Sequence, residues 1–290
     1  MSSSPPTPTL THLPISSPDP THFVHIISNL LSPSECASII STHTNLSPSN
    51  LTPGTIRTRE TFTDEALAAR LWSRMEKFYK GDRIQDADGV WWTASGLNPG
   101  LRLSKYEKGA SFHPTAPDLD PKNMYVNRGI YNKGGKFTPH FDYSRQTSVH
   151  SKSFLSVNIY LNSVAEADKG ATRILKNDPL TGPYWDGRTP LTVLAKIQPV
   201  QGSASVFRET LWHDGEELLR GEKYLLRSDV LYEREGTFDF DELYGELSDD
   251  EQAEKAAWLA DALVDGGAEE EAERCYERAA FLCPAVYFRG

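Results

Sequence analysis

The sequence has few cysteines and no long apolar run. Its three cysteines, Cys36, Cys275 and Cys283, are an odd number without metal-ligand spacing. Such a set disfavours a disulfide-stabilised secreted domain and favours a reducing intracellular location, cytoplasmic or nuclear. The N-terminus lacks the basic and apolar regions of a signal peptide, and no apolar stretch approaches the roughly 18 residues of a membrane-spanning helix. We therefore expect no membrane partner.

Positive charge is also scarce, because the formal net charge is −10. Residues 233–290 hold 17 acidic and 5 basic residues, a net charge of −12, which leaves +2 for residues 1–232. An acidic tail disfavours nucleic-acid binding through that surface and suits solubility or a basic partner. We therefore expect no nucleic-acid partner, while the oligomeric state stays open.

The length of 290 residues and a hydrophobic content of 38% suit one sizeable domain with appendages. Residues 1–20 are rich in Ser, Thr and Pro, which predicts disorder. We expect the main domain at 21–235, with an N-terminal helical part at 21–100 and a barrel at 101–235. The acidic tail, 236–290, has apolar residues spaced as in one helix pair, which favours a helical hairpin over a partner-binding module.

Local patterns predict a mainly β fold with flanking helices. A short strand is predicted at 23–27, and a helix begins after Ser32, a good N-cap residue that Pro33 and Glu35 follow. A second helix is predicted from Asp64 to about Lys80. Many short strands separated by turn residues indicate a jelly-roll-like barrel. The predicted strands are 155–161, 172–175, 191–199, 203–208 and 224–232.

One imidazole and one carboxylate lie two residues apart in Phe137-Thr-Pro-His140-Phe-Asp142. On a strand, residues i and i+2 face the same way, so His140 and Asp142 can bind one metal ion. His213 is the best candidate for a third ligand. Two histidines and one carboxylate on one face of a metal leave the other positions open, which is the geometry of non-haem Fe(II) oxygenases.

A basic residue follows this candidate triad on a β-prone segment. Lys223 comes ten residues after His213, and Arg227 shares its strand face four residues later. A buried cation is costly unless it meets an anion, and the distal carboxylate of 2-oxoglutarate would be that anion. Both residues are therefore candidates for the co-substrate anchor.

Together these motifs resemble the prolyl 4-hydroxylase-type 2-oxoglutarate/Fe(II) dioxygenases over roughly residues 23–232. The ordered set adds Tyr131, nine residues before His140, and Thr172 in Lys-Gly-Ala-Thr, where the family usually has Gly-Gly-x-Thr. The resemblance implies a double-stranded β-helix (jelly-roll or cupin-like) core. It also favours Lys223 over Arg227 as the anchor, with Tyr131 and Thr172 as further co-substrate contacts.

The resemblance implies an Fe(II)- and 2-oxoglutarate-dependent dioxygenase that uses O2, often with ascorbate as the reductant. Such an enzyme hydroxylates a C–H bond and releases succinate and CO2. The expected substrate is a small molecule or a peptide, namely a prolyl residue, an amino acid or a small metabolite. Two alternatives remain: a cupin-like metal protein without oxygenase activity, and an interaction protein acting through its acidic helical tail.

A short internal duplication precedes the metal motif. Lys105-Tyr106-Glu-Lys-Gly109 is echoed by Ile130-Tyr131-Asn-Lys-Gly134, and either copy could lead into Gly135. If residues 110–134 were absent, Tyr106 would stand nine residues before His140. The segment is therefore either a loop near the active-site mouth or a stretch that a gene model retained in error.

Overall fold

The structure of this protein is a computed structural model, in which the chain forms two units. Unit 1 comprises residues 1–75, 99–142 and 156–228, and unit 2 comprises residues 76–98, 143–155 and 229–290. The structure describes residues 7–17, 19–49, 55–108, 135–177 and 190–283.

Strands dominate the described residues. The fifteen strands are β1 (Thr9–Leu13), β2 (Val24–Ser28), β3 (Ser47–Pro48), β4 (Thr58–Thr63), β5 (Arg83–Gln85), β6 (Trp91–Leu97), β7 (Gly100–Glu107), β8 (Phe137–His140), β9 (Gln146–Ser148), β10 (Ser151–Tyr160), β11 (Thr172–Leu175), β12 (Val193–Ile197), β13 (Ala204–Arg208), β14 (His213–Gly215) and β15 (Glu222–Arg234). The helices are α1 (Pro33–Thr42), α2 (Glu65–Tyr79), α3 (Phe240–Tyr244), α4 (Asp249–Gly266) and α5 (Glu269–Leu282). The predicted mainly β class with flanking helices is confirmed.

Unit 1 contains two sheets. One has the strand order β1-β2-β13-β10-β15-β7-β4-β3, and the other has the order β12-β11-β14-β8. A single apolar cluster draws side chains from both sheets, so the sheets share one core. Its buried members are Val24, Tyr106, Tyr160, Val164, Ile174, Ile197, Phe207, Leu211, Leu218 and Leu225.

Helix α1 begins as its sequence predicts. The Ser32 hydroxyl accepts a hydrogen bond from the Glu35 backbone N–H at 3.2 Å, and the Glu35 carboxylate accepts one from the Ser32 N–H at 2.8 Å. This capping box satisfies two backbone donors that a helix start otherwise leaves unpaired. Arg74 of α2 binds the same carboxylate with two nitrogens, at 2.7 and 3.1 Å, and so ties the two helices together.

Gly202 makes the turn before β13 possible. Its φ of +75° lies in the left-handed region, and a Cβ on it would stand 2.1 Å from the Leu31 carbonyl oxygen. The Gly202 carbonyl in turn accepts the N–H groups of Leu30 and Leu31, at 2.8 and 3.0 Å. Only glycine allows the two chain segments to approach so closely.

Two sequence expectations about the N-terminal region need correction. Residues 1–20 were expected to be disordered, but Thr9–Leu13 forms β1 and pairs with β2 along its whole length. Threonine and leucine favour a strand once a partner edge is present, and composition alone does not reveal that partner. The part expected to be helical, 21–100, holds α1 and α2 and also the strands β2 to β6.

Unit 2 combines short strands with the C-terminal helices. Strand β6 pairs with β5 and with the end of β15. Helices α4 and α5 pack against each other through a hydrophobic cluster that contains Ala260, Leu263, Ala272 and Cys275. In the part of the chain that the structure describes, no helix is long and apolar enough to cross a membrane.

Candidate active site

Antiparallel pairing brings the two candidate histidine ligands together. His140 ends β8, His213 begins β14, and the two are direct partners in the register of these strands. Asp142 follows β8 by two residues, and its backbone N–H donates to the Glu209 carbonyl at 3.1 Å. One potential ligand atom from each of the three residues lies within 4.8 Å of the others, so the group could hold a metal ion.

Backbone carbonyls fix the protonation of both imidazoles. His140 Nδ1 lies 2.8 Å from the Thr138 oxygen, and His213 Nδ1 lies 2.8 Å from the Leu211 oxygen. A carbonyl oxygen can only accept, so each Nδ1 carries the proton and each Nε2 keeps its lone pair. The two Nε2 atoms are therefore ready to donate to a metal.

These lone pairs face the Asp142 carboxylate. His140 Nε2 lies 3.5 Å from one carboxylate oxygen, and His213 Nε2 lies 3.4 Å from the other. The buried Nε2 of His140 has no hydrogen-bond partner among the described residues. Because lone pairs facing a carboxylate repel one another, the arrangement calls for a cation between them. The donor set of two nitrogens and one carboxylate fits Fe(II).

Burial and neighbouring charges set the ionisation of the triad. Burial favours the neutral form of Asp142, but the Arg227 guanidinium holds its pKa well below the ordinary value. Burial also lowers the pKa of His213 to about 4, although Asp142 acts in the opposite direction. Near neutral pH the site thus contains an ionised carboxylate and a neutral His213, the forms that bind metal.

Lys223 is a buried cation without a carboxylate partner among the described residues. Its side chain is 3% exposed, and its Nζ donates to the Gly170 carbonyl at 2.7 Å. Burial lowers the pKa of Lys223 to about 8, while the more distant Asp214 and Glu216 act to raise it. One neutral acceptor leaves two donors of the ammonium group for an anion.

A row of polar side chains on β10 runs from the triad toward this lysine. Ser156, Asn158 and Tyr160 alternate along the strand and share one face. The Ser156 hydroxyl donates to Asp142 at 2.6 Å, and the Tyr160 hydroxyl donates to Thr172 at 3.0 Å. Asn158 lies between them, 4% exposed, and its Oδ1 has no hydrogen-bond partner in the described structure.

The structure places Tyr106 beside Lys223. The two are direct cross-strand partners on β7 and β15, and Lys223 Nζ lies 5.2 Å from the centre of the Tyr106 ring. Arg57 Nη1 donates to the Tyr106 hydroxyl at 3.5 Å. Tyr131, the tyrosine predicted from the family pattern, lies outside the described residues, as does the segment 110–130. The internal duplication was the sequence signal that pointed to Tyr106.

The two candidate anchors have different surroundings. Arg227 contacts the Asp142 carboxylate directly and donates to Ser156 Oγ at 3.3 Å. Lys223 lies beside Tyr106 and Tyr160, two members of the apolar cluster of unit 1. The distance from Lys223 Nζ to the centre of the Tyr160 ring is 5.8 Å. The contact of Arg227 with Asp142 was not predicted from the sequence, because spacing alone does not show whether a strand residue lies near the triad or away from it.

Residues 126–228 match the model of the 2OG-Fe(II) oxygenase superfamily. This range includes the whole triad, Thr172, Lys223 and Arg227. This match agrees with the resemblance drawn from the sequence, and the family that it names is that of the 2-oxoglutarate-dependent Fe(II) oxygenases. No curated protein matches the chain.

Solved structures with similar architecture include several oxygenases. The viral collagen prolyl hydroxylase of Paramecium Bursaria Chlorella virus-1 is 14% identical, with 74% of this chain and 96% of that chain covered and a TM-score of 0.41. A prolyl-4-hydroxylase of Pseudomonas putida is 15% identical, with 74% and 95% covered and a TM-score of 0.40. HygX of Streptomyces hygroscopicus is 14% identical, with 73% and 83% covered and a TM-score of 0.41; it was solved with nickel, 2-oxoglutarate and hygromycin B bound.

Proposed function

We propose that this protein is an Fe(II)- and 2-oxoglutarate-dependent hydroxylase. The observation that carries the proposal is that unit 1 contains both a three-residue group that could hold a metal and a buried lysine with no carboxylate partner among the described residues. A cupin that only binds metal requires the three metal ligands, but it does not require a buried lysine. A buried cation without an acid is costly, so the protein gains from an anionic ligand at that position.

His140, Asp142 and His213 would hold the iron. The Nε2 atoms of the two histidines carry lone pairs that can bind a metal. The Asp142 side chain is 2% exposed and ionised. Burial keeps water away from the site and strengthens each electrostatic contact within it. Three protein ligands would leave further coordination positions of the iron for co-substrate and O2.

Lys223 would bind the distal carboxylate of 2-oxoglutarate through its ammonium group. Thr172 and Tyr160, hydrogen-bonded to each other at 3.0 Å, supply hydroxyl groups near this end of the pocket. Asn158, midway along the polar row of β10, would donate from its amide to an oxygen of the co-substrate. The family pattern made Tyr131 a co-substrate contact. We assign this role to Tyr106, because Tyr106 is the direct cross-strand partner of Lys223.

When bound, iron and 2-oxoglutarate supply oxidative decarboxylation to succinate and CO2, coupled to insertion of one oxygen atom into a substrate C–H bond. Ascorbate is the proposed reductant that keeps the iron ferrous. The proposed substrate is a prolyl residue, an amino acid or a small metabolite, because the motifs resemble those of prolyl 4-hydroxylases. Loops around a barrel mouth, rather than the barrel itself, choose among such targets.

The test is anaerobic titration of the protein with Fe(II) and 2-oxoglutarate, followed by absorbance. A substrate panel read out as succinate release then gives turnover. We expect saturable co-substrate binding in the wild type and no turnover of 2-oxoglutarate in His140→Ala or Asp142→Ala. His150→Ala, which alters an exposed histidine in a turn of unit 2, is the matched control and should behave as wild type.

Two results would contradict the proposal. Normal succinate production by His140→Ala would remove that residue from the metal site. Metal binding without any 2-oxoglutarate binding would favour a cupin-like protein that lacks oxygenase activity.

A further inference from the structure

The carboxylate of Asp142 is hydrogen-bonded through both of its oxygens. Arg227 Nη1 contacts Oδ1, and the Ser156 hydroxyl donates to Oδ2 at 2.6 Å. Arg227 Nη2 also donates to Ser156 Oγ, at 3.3 Å. Three hydrogen bonds thus close a ring through the arginine, the serine and the aspartate, and all three residues belong to unit 1.

The ring joins strands of different sheets. Ser156 and Arg227 lie on β10 and β15, which are neighbours in the larger sheet, whereas Asp142 follows β8 of the smaller sheet. Both histidines of the triad also belong to the smaller sheet. The orientation of the carboxylate relative to the imidazoles is therefore set by residues that bind no metal.

An aspartate carboxylate has a broad torsional preference about its last bond, so packing must select its direction. The planar fork of a guanidinium can do this, because two of its nitrogens bind in fixed directions. With Oδ1 bound to Arg227 and Oδ2 bound to Ser156, rotation of the carboxylate breaks at least one charge-assisted bond. The oxygens keep the directions that place each of them within 3.5 Å of a histidine Nε2.

We propose that Arg227 is a positioning residue of the metal site, which aims the Asp142 carboxylate at the two imidazoles through the Ser156 ring. This inference rests on the proposed function, because it concerns the same metal site. A cation so close to a metal would by itself weaken metal binding, so the proposal requires that the gain from orientation exceeds the repulsion.

The test measures Mn(II) affinity by titration calorimetry and by electron paramagnetic resonance of free Mn(II), on full-length protein without co-substrate. Hydrogen-bonded partners of metal ligands typically change metal affinity about 10- to 100-fold. We expect a loss in that range for Arg227→Gln. Ser156→Ala keeps the positive charge but opens the ring, so it should also weaken Mn(II) binding, by about 10-fold.

Arg74→Gln is the matched control. Arg74 likewise forms a half-buried ion pair in unit 1, with Glu35, but it contacts no metal-site residue in the described structure. This variant should bind Mn(II) as the wild type does. Thermal unfolding without metal, measured on every variant, separates a general loss of stability from a loss of affinity.

The proposal is overturned if Arg227→Gln binds Mn(II) within about threefold of wild type, or more tightly, since loss of a hydrogen-bonded partner of a metal ligand reduces metal affinity by more than that. If Arg227→Gln does not fold, Ser156→Ala decides, and unchanged affinity in that variant overturns the proposal equally. Failure of the wild type to bind Mn(II) would instead count against the proposed function, so the two failures are distinguishable.

Discussion

Replacing Lys223 with methionine should have opposite effects on co-substrate binding and on the stability of the unliganded protein. Methionine keeps most of the length and apolar volume of the lysine stem but removes the ammonium group. Lys223 is 3% exposed, and Gly170 supplies its described acceptor. The change therefore removes a buried charge that has no carboxylate partner within hydrogen-bond distance among the described residues.

The size of each effect follows from the burial. Removing one member of a buried ion pair costs about 3–5 kcal/mol, so 2-oxoglutarate should bind roughly 10²- to 4 × 10³-fold more weakly to Lys223→Met. In the unliganded protein, burial lowers the pKa of Lys223 from 10.5 to about 8. This difference in pKa means that the buried ammonium lowers the free energy of unfolding by up to about 3 kcal/mol at neutral pH. Lys223→Met should therefore have a higher free energy of unfolding than the unliganded wild type.

The assays are anaerobic 2-oxoglutarate titration and urea unfolding. Lys105→Met is the matched control, because Lys105 lies on the neighbouring strand and pairs with Glu107 and Glu222 at 2.7 and 2.8 Å. It should lose little co-substrate affinity. The unliganded wild type should also gain stability as pH rises from about 8 to about 10.5, because the folded lysine has then released its proton and the unfolded one has not. Lys223→Met should lack this gain.

A Lys223→Met variant that binds 2-oxoglutarate as tightly as wild type would refute the anchor assignment. A variant that binds weakly and is also less stable without ligand would refute the claim that the ammonium is held at a cost. Only the combination of weaker binding and higher unliganded stability agrees with a buried cation awaiting an anion.

Three further predictions concern Tyr106, the pH dependence of co-substrate binding and Gly202. Tyr106→Phe should weaken 2-oxoglutarate binding about tenfold, the value of one hydrogen bond to a charged group, whereas Tyr131→Phe should change it less than about twofold; the reverse order would return the role to Tyr131. Co-substrate affinity should fall as pH rises through about 8, because binding needs the ammonium form of Lys223, and a flat profile from about pH 7 to 9.5 would contradict this. Gly202→Ala should destabilise the fold by more than about 2 kcal/mol in urea unfolding, while Gly96→Ala, whose Cβ would meet nothing within 4 Å, should cost less than about 1 kcal/mol.

Much of the local structure could be predicted because single residues determine it. Ser32, Pro33 and Glu35 specify the start of α1, and the structure shows their capping box. The helix predicted from Asp64 to about Lys80 occurs as Glu65–Tyr79, and the strand predicted at 172–175 is β11. In such cases the signal and the structure lie within a few residues of each other.

The parts that could not be predicted depend on distant pairing. The sequence shows that His140 and His213 are both suited to bind metal, but their meeting depends on the register of β8 with β14. The contact of Arg227 with Asp142 spans 85 positions of the chain and involves two different sheets. Choosing between Tyr106 and Tyr131 likewise requires knowing which of them pairs opposite Lys223, since their local sequences are nearly the same.

The backbone N–H of Gly135 donates to the Glu107 carbonyl at 2.7 Å, so two residues that are far apart in the sequence lie side by side in the structure. Closing a longer loop between such neighbouring anchors adds little entropic cost, because that cost grows only with the logarithm of length. An insertion or deletion between residues 107 and 135 would therefore be expected to leave the positions of His140, Asp142 and His213 unchanged.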